Sequence, residues 1–276
     1  METFDPVELF GKNVLITGAS SGIGEQMAYH FAKMGANLVL TARRGHLLKK
    51  VVSECNNLSP NSAQKHAYIA ADMADMTETE RVVQFAKESL GGLDIVMLNH
   101  ALLPFGEPWM SSKENFTKLA TAMDVNFRSY VHLASHVLPL LTPSSGRIAV
   151  VTSLVGYFAY PYTTWYTAAK RALQGFFGVL RQELKLQNSN VTITMCVVGP
   201  TRTENAVESM KAMIGETFVK TGHIADAGDV AMEIIQGTVS RQYQVHTDMD
   251  LKTRIFFFIQ FLFPKLADDS MLLALT

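Results

Sequence analysis

A glycine-rich turn near the N-terminus is the strongest constraint on the fold of this chain. The sequence TGASSGIG, at Thr17–Gly24, joins an apolar run at Asn13–Thr17 to apolar residues at helical spacing. Gly18 allows a tight turn, Gly22 lets backbone approach a phosphate, and Gly24 permits a helix to pack closely on a strand. Because a helix N-terminus favours an anion, this pattern predicts a dinucleotide site. The alternative is a plain structural turn.

Strand-like and helix-like segments alternate from residue 12 to about residue 200. This alternation is typical of an α/β domain with a doubly wound parallel sheet, the Rossmann architecture. Strands are predicted at Asn13–Thr17, Asn37–Thr41, Ala67–Ala70, Ile95–Asn99, Ile148–Ser153 and Val191–Val198. Helices are predicted after the glycine-rich turn as far as Gly35, and at Glu78–Leu90, Ala120–Leu141, Tyr166–Leu186 and Asp229–Gly237.

The chain is predicted to form a single domain over residues 1–276. Residues from about 201 to 225 are expected to form a helical flap at the carboxyl ends of the strands, where α/β sheets bind ligands. Residues from about 254 to 276 form an apolar tail, whose Phe-rich run Phe256–Pro264 is too short to span a bilayer. Three interpretations of this run stay open: docking within the same fold, packing on a partner subunit, or peripheral contact with a membrane.

Charge and cysteine content argue against several classes of function. The formal net charge is -1 and the sequence has no basic stripe, so nucleic acid is not expected as a partner. Cys55 and Cys196 do not have the spacing of metal ligands, so no metal site is predicted. Cys196 lies in an apolar run and is expected to be a buried free thiol.

Ser153, Tyr166 and Lys170 form the predicted catalytic set. Tyr166 and Lys170 are four residues apart on one face of a predicted helix, and Ser153 ends a predicted strand upstream. A free tyrosine has a pKa of about 10, and a neighbouring lysine ammonium is expected to lower it. Tyr166 would then exchange a proton with a carbonyl oxygen that Ser153 binds. Together with the dinucleotide turn, this set predicts hydride transfer from a nicotinamide cofactor; a coincidental Tyr/Lys pair is the alternative.

The end of the second predicted strand indicates which nicotinamide cofactor is used. An NAD site places an acidic residue there to hold the ribose 2′-hydroxyl. This chain instead has Thr41-Ala42-Arg43-Arg44, with two guanidinium groups and no acid. Arg43, with Ser20 beside it, is predicted to bind a 2′-phosphate through charge-assisted hydrogen bonds. NADP(H) is therefore the predicted cofactor, with NAD as the alternative if both arginines are ordinary solvated side chains.

From about residue 10 to residue 240 the chain resembles the short-chain dehydrogenase/reductase family. The resemblance implies that Asn126 joins the catalytic set by holding a water that connects Lys170 to a proton relay. It also implies that Asp72 binds the adenine. Leu98-Asn99-His100-Ala101 matches the stretch that the family usually has as Asn-Asn-Ala-Gly. The implied cofactor-binding residues are Gly18, Ser20, Ser21, Gly22, Ile23, Gly24, Arg43, Arg44, Asp72, Met73, Asn99, His100, Tyr166, Lys170 and Thr203.

A narrower resemblance is to the 11β-hydroxysteroid dehydrogenase type 1 group of that family, including its type 1-like relatives. It rests on stretches such as Leu98–His100 and Val125–Tyr130. The resemblance implies that Tyr160 contacts a steroid. It also implies association with the endoplasmic reticulum on the lumenal side, which fits the glycosylation pattern Asn190-Val-Thr. A cytoplasmic or secreted location is the alternative.

We therefore expect an NADP-dependent oxidoreductase acting on a hydrophobic ketone or secondary alcohol, with an 11β-hydroxysteroid or 11-ketosteroid as the first candidate. The alternatives are reduction of another lipid, a retinoid or a xenobiotic carbonyl, and a cofactor-binding module without catalysis. The family resemblance also implies a homodimer that pairs the helices around Ala120–Leu141 and Tyr166–Leu186. The predicted substrate-binding residues are Ser153, Tyr160 and Tyr166, with apolar walls from Leu154, Val155, Tyr157, Phe158, Met210 and Met213.

Overall fold

A seven-stranded parallel sheet forms the centre of the molecule. The computed structural model describes residues 4–247 and 251–273. Its strands are β1 Asn13–Thr17, β2 Asn37–Ala42, β3 His66–Ala70, β4 Ile95–Leu98, β5 Arg147–Ser153, β6 Thr192–Val198, β7 Thr201–Arg202, β8 Ala225–Asp226 and β9 Gln244–His246. The sheet order is β3-β2-β1-β4-β5-β6-β9, and β7 pairs with β8 separately.

Helices cover both faces of this sheet, which confirms the predicted doubly wound α/β architecture in a single domain. The α-helices are α1 Gly22–Lys33, α2 Gly45–Leu58, α3 Met76–Leu90, α4 Lys113–Met123, α5 Ser129–Leu141, α6 Thr164–Leu186, α7 Glu204–Ile214, α8 Glu216–Thr221, α9 Ala227–Val239, α10 Leu251–Leu262 and α11 Pro264–Leu273. Residues 1–3, 248–250 and 274–276 of the predicted domain lie outside the described residues.

The central strands are buried on both faces, so their side chains alternate between two apolar cores. Val14 and Ile16 of β1 pack into the core that α1, α2 and α9 cover. Leu15, between them, packs into the core formed with α3, α5 and α6. This period of two is the geometry of an extended strand, and burial on both sides explains why the strands read as continuous apolar runs.

The strand order places a crevice at the carboxyl ends of β1 and β4. The chain builds outward from β1 through β2 to β3, and then crosses back to add β4 on the other side of β1. The connections that leave β1 and β4 therefore run to opposite sides of the sheet. In open α/β sheets such a reversal of strand order is where ligands bind.

The structure differs from the sequence prediction at several elements, of which three bear on the architecture. Helix α2 was not predicted, although its buried residues Leu48, Val51 and Cys55 have helical spacing. Strand β9 was also not predicted, because three residues carry little periodicity. The helix predicted at Ala120–Leu141 begins earlier, at the start of α4, and a π-turn at Asp124–Arg128 separates it into α4 and α5.

The flap predicted over residues 201–225 is helical and packs against the loop after β4. It contains β7, α7, α8 and β8. The buried Ser209 of α7 donates a hydrogen bond to the carbonyl oxygen of Pro104 in that loop. A Cβ on Gly106 would lie 2.6 Å from the carbonyl oxygen of Ala212, so loop and helix are in close backbone contact. The flap therefore borders the crevice.

The predicted apolar tail forms α10 and α11 as far as residue 273. Its exposed large apolar side chains include Ile255, Phe258, Phe261, Leu262, Phe263, Leu266 and Leu272. Nothing is described of the side chains of Phe256 and Phe257. Within the described parts of the chain, no helix is both long enough and apolar enough to cross a membrane.

Candidate active site

A cleft with a volume of about 750 Å³ opens at the carboxyl ends of the strands. Gly18 follows β1, Asn99 follows β4, Ser153 ends β5 and Val198 ends β6, and all four line it. Every predicted site residue lines this cleft except Gly24 and Asn126. Residues that are far apart in sequence therefore meet in one place, because parallel strands end at the same edge of the sheet.

The glycine-rich turn has no room for side chains. Gly18 and Gly22 have φ angles of +68° and +61°, in the left-handed region that favours glycine. A Cβ on Gly18 would lie 2.8 Å from the Cα of His100, and one on Gly22 would lie 2.7 Å from Cγ2 of Thr203. A Cβ on Gly24 would collide with the carbonyl oxygen of Gly18. The turn is therefore a backbone cradle, as a bound pyrophosphate requires.

Four further predicted cofactor residues reach the cleft from separate elements. Asp72 and Met73 follow β3, Thr203 precedes α7, and Ile23 lies in the first turn of α1. Ser21 is the N-cap of α1 but makes no capping hydrogen bond with its side chain. The first amides of α1 are thus available to a phosphate, as the prediction of a dinucleotide site requires.

Arg44, rather than Arg43, contacts the serines of the glycine-rich turn. Its guanidinium donates to Ser21 Oγ at 2.7 Å and to Ser20 Oγ at 3.3 Å. Arg43 is exposed, although it also lines the cleft. The side chain at the N-cap of α2 is thus the one that reaches back to the turn. That Arg43, with Ser20 beside it, binds a 2′-phosphate stays a prediction.

Ser153, Tyr166 and Lys170 meet on one wall of the cleft. Ser153 ends β5, while Tyr166 and Lys170 lie in the first two turns of α6. Ser153 forms a hydrogen bond with Tyr166. The Lys170 Nζ donates to the Val151 carbonyl oxygen at 2.9 Å and lies 5.6 Å from the centroid of the Tyr166 ring. The structure thus brings together the three side chains that the sequence singled out.

Burial dominates the titration of this pair. It raises the pKa of Tyr166 to about 12, and the hydrogen bond with Ser153 offsets only part of that rise. Burial also lowers the pKa of Lys170 to about 7. The expectation that Lys170 lowers the Tyr166 pKa is wrong for the protein groups alone. Desolvation of the phenolate exceeds its attraction to a lysine that is itself only partly protonated at neutral pH.

Asn126 lies in the π-turn and clamps the loop after β4. Its Oδ1 accepts a hydrogen bond from the Leu102 amide at 2.8 Å, and its Nδ2 donates to the Leu102 carbonyl oxygen at 2.9 Å. The side chain is fully buried and does not line the cleft. Such π-turns are common at functional sites. That Asn126 holds a water for Lys170 stays a prediction.

His100 supports the cleft from behind. Its Nδ1 lies 2.8 Å from Thr17 Oγ1 and its Nε2 lies 2.7 Å from Ser129 Oγ. Burial lowers the pKa of His100 to about 3, so the ring is neutral. Both ring nitrogens have protein partners, and only the remainder of His100 is placed to contact a cofactor. That Thr17 and Ser129 hold His100 was not predicted from the sequence. For Thr17, the available signal was a polar residue at the end of an apolar strand.

Apolar residues form much of the remaining cleft wall. Tyr157 does not contribute, because its ring lies beside His246 of β9, with 6.1 Å between ring centroids. The prediction that Tyr157 lines the substrate pocket is therefore wrong. Of the predicted wall residues, the cleft contains Leu154, Val155, Phe158, Tyr160, Met210 and Met213. The structure adds Leu102, Leu103, Pro104, Thr121, Val125, Ile214 and Phe218, which carry no motif in the sequence.

Comparison with known proteins identifies the family. Residues 12–213 match the family model described as short chain dehydrogenase. The chain belongs to the short chain dehydrogenase family. Among curated relatives of this short chain dehydrogenase is a hydroxysteroid 11-beta-dehydrogenase 1-like protein from Gallus gallus. It is 46% identical over 241 residues, which are 87% of this chain and 79% of the relative. Both resemblances found in the sequence are confirmed.

Solved structures show the same fold in distant short chain dehydrogenases. A short chain dehydrogenase/reductase from Burkholderia phymatum, in complex with NAD, has a TM-score of 0.81 at 19% identity, over 94% of this chain and 96% of that one. A short chain dehydrogenase from Burkholderia cenocepacia, in complex with NADP, has a TM-score of 0.74 at 23% identity, over 87% and 97%. At these identities the likeness establishes the fold.

Gly24→Ala is expected to weaken dinucleotide binding, because the new methyl group would collide with the Gly18 carbonyl oxygen and displace the turn. An overpacking cost of about 1–3 kcal/mol corresponds to a roughly 5- to 150-fold rise in the Kd for NADPH, measured by calorimetric titration. Gly175→Ala is the matched control, since a Cβ there meets no atom within 4 Å. An unchanged Kd in Gly24→Ala would contradict the cradle.

Proposed function

We propose that this short chain dehydrogenase is an NADP(H)-dependent oxidoreductase. It transfers a hydride between nicotinamide and a hydrophobic ketone or secondary alcohol. The meeting of Ser153, Tyr166 and Lys170 on a wall of the cleft that also contains the glycine-rich turn carries the proposal. A dinucleotide seated on the turn and a carbonyl seated at Ser153 would share one cavity. The backbone cradle at Gly18 and Gly22 fits such a cofactor, because a side chain at either position would collide with His100 or Thr203 and displace the turn.

Ser153 and Tyr166 are the groups that act on the carbonyl oxygen. When bound, the nicotinamide supplies or receives the hydride. Ser153 holds the oxygen by a hydrogen bond, and Tyr166 donates its phenolic proton to it as negative charge develops. Because burial raises the Tyr166 pKa to about 12, the phenol is protonated at neutral pH, which favours reduction. Lys170, when protonated, stabilises the phenolate that remains.

The proposed preference for NADP(H) rests on Arg44. Its guanidinium, with the hydroxyls of Ser20 and Ser21, forms a cluster of hydrogen-bond donors beside the end of β2. Arg43 adds a second positive charge on the cleft wall. Such a cluster suits a 2′-phosphate, because a guanidinium binds phosphate through two parallel hydrogen bonds. The fold is shared by an NAD complex and an NADP complex, so these side chains are the basis of the choice.

Arg44→Ala is expected to raise the KM for NADPH roughly 10- to 100-fold, the loss of one charged hydrogen-bonding group. The KM for NADH should change little, because NADH has no 2′-phosphate. Arg43→Ala should act in the same direction but less strongly, since Arg43 is more exposed. Lys50→Ala, which removes one charge from the exposed side of α2, is the control. Equal effects of Arg44→Ala on both cofactors would contradict the proposal.

The substrate that we propose first is an 11-ketosteroid or its 11β-hydroxysteroid. The cleft has apolar walls from both the loop after β4 and the flap, including Leu102, Val155, Met210 and Phe218. Such walls suit a bulky apolar molecule with one carbonyl placed at Ser153. A relative carries the name hydroxysteroid 11-beta-dehydrogenase 1-like protein, which supports a steroid. Another lipid, a retinoid or a xenobiotic carbonyl is the second candidate.

NADPH oxidation by the purified protein is expected to be fastest with cortisone, when compared with a retinal and a simple aromatic ketone. Tyr166→Phe should lower kcat by at least about 100-fold, since it removes the proton donor, while the Kd for NADPH stays within about twofold.

The outcomes of this experiment separate the proposals. Turnover of only the retinal or the aromatic ketone would overturn the steroid proposal and leave the oxidoreductase. A Tyr166→Phe protein as active as the wild type would overturn the mechanism. Tight NADPH binding without turnover of any carbonyl would favour a cofactor-binding module without catalysis.

We also propose a homodimer in the lumen of the endoplasmic reticulum, with the tail in peripheral contact with a partner or a membrane. The exposed Asn190 supports the location, whereas Asn115, in a second acceptor pattern, is buried and donates to the Met110 carbonyl oxygen. The exposed phenylalanines Phe258 and Phe261 of α10, and Phe263 directly after it, support an apolar contact. For protein expressed in animal cells, Asn190→Gln should abolish the shift in gel mobility that a glycan causes. Sedimentation of the purified protein should give a mass twice the 30.5 kDa of one chain. A monomer, or an unglycosylated protein, would contradict the respective proposal.

A further inference from the structure

Lys170 is a buried amine with few polar groups around it to stabilise its charged form. Its side chain is 1% exposed, and its Nζ donates a hydrogen bond to the Val151 carbonyl oxygen at 2.9 Å. The ionisable groups that face it in the described chain are Tyr166 on its own helix, Tyr130 on α5 and His100 after β4. None of them is a carboxylate, and burial is the cause of its lowered pKa. Any stabilisation of the ammonium by the described groups must therefore come from something other than an ion pair.

The ring of Tyr130 lies beside that ammonium. The Lys170 Nζ is 5.3 Å from the Tyr130 ring centroid, slightly closer than the 5.6 Å to the ring of Tyr166. A cation over an aromatic face at this range is attracted by the ring quadrupole, and more strongly where water is excluded. Tyr130 is fully buried, and burial raises its pKa well above the usual range, so it offers a neutral ring.

A buried hydrogen-bond network fixes the position of this ring. The Tyr130 hydroxyl donates to the His100 carbonyl oxygen at 2.5 Å, and the two rings are stacked at a tilt with centroids 4.5 Å apart. His100 is held in turn by Thr17 and Ser129, at 2.8 and 2.7 Å from its ring nitrogens. His100 is neutral and adds no charge of its own. The ring of Tyr130 is therefore held in place from β1, β4 and α5 together.

We propose that Tyr130 is a positioning residue whose ring face stabilises the protonated form of Lys170 beside Tyr166. The inference rests on the proposed function, in which the ammonium stabilises the phenolate that Tyr166 leaves on donating its proton. Tyr130 does not touch the substrate, since it does not line the cleft. It acts by keeping Lys170 charged in a buried position where a neutral amine would otherwise be favoured.

The proposal predicts the direction of a shift in pH dependence. Lys170 must be protonated for the reductive reaction, so kcat/KM for reduction falls as pH rises through the Lys170 pKa. Removing the ring lowers that pKa, because the charged form loses its attraction while the neutral form loses nothing comparable. The fall in kcat/KM should then occur at lower pH. If Tyr130 served only in packing, its removal would lower activity at every pH and leave the pH at which kcat/KM falls unchanged.

The test measures the Lys170 pKa directly, by carbon NMR of protein labelled at the lysine Cε and assigned with Lys170→Met. Tyr130→Leu is expected to lower that pKa by roughly one unit, and to move the alkaline limb of kcat/KM for ketone reduction by the same amount. Tyr130→Phe is the matched control. It keeps the ring but removes the hydroxyl that bonds to His100, so the Lys170 pKa should stay within about 0.3 unit of the wild type.

A second variant, which keeps the shape of the ring, tests the proposal even if Tyr130→Leu does not fold. Pentafluorophenylalanine at position 130 keeps the ring shape and reverses the sign of its quadrupole, so it should lower the Lys170 pKa relative to Tyr130→Phe. An unchanged pKa in this variant or in a folded Tyr130→Leu would overturn the proposal, as would a pKa that falls equally in Tyr130→Phe. A lowered pKa in a protein that reduces no ketone would support the role of Tyr130 while refuting the proposed function.

Discussion

The hydrogen bonds of Thr17 join the two strand ends on which the cleft depends. Its hydroxyl accepts from the Asn99 amide at 2.9 Å and lies 2.8 Å from Nδ1 of His100. These contacts tie the end of β1, where the glycine-rich turn begins, to the end of β4. They also extend through His100 to α5, and through Tyr130 to Lys170. The glycine-rich turn and the wall that holds Ser153, Tyr166 and Lys170 are thus joined through the same buried polar junction.

Burial sets the protonation of the proposed catalytic pair. Tyr166 and Lys170 are both ionisable, and both are held in a low-dielectric wall without a carboxylate partner among the described residues. Their neutral forms are therefore favoured, with the phenol protonated and the amine near its midpoint at neutral pH. A protonated phenol suits reduction. The protonated form of Lys170 is then stabilised by backbone dipoles and aromatic ring faces, because no ion pair among the described residues stabilises it.

Much of the fold was predictable because its signals are local. Apolar runs, a glycine turn and a Tyr/Lys pair at helical spacing each depend on a few adjacent residues, and β1 and α6 were placed within two residues of their ends. Strand β9 and the π-turn were not predictable in the same way. A three-residue edge strand has too few residues for a period, and the π-turn depends on the clamp between Asn126 and the distant Leu102.

The sequence by itself determined the glycine-rich turn, the order of the strands along the chain and the identity of Ser153, Tyr166 and Lys170. Only the tertiary structure decided that Arg44 contacts Ser20 and Ser21, that Tyr157 turns away from the cleft, and that burial raises the Tyr166 pKa where Lys170 was expected to lower it. The physical reason is the range of the interactions. Turn geometry and helical spacing are set by neighbours in the chain, whereas desolvation and side-chain direction are set by whatever the fold packs against each group.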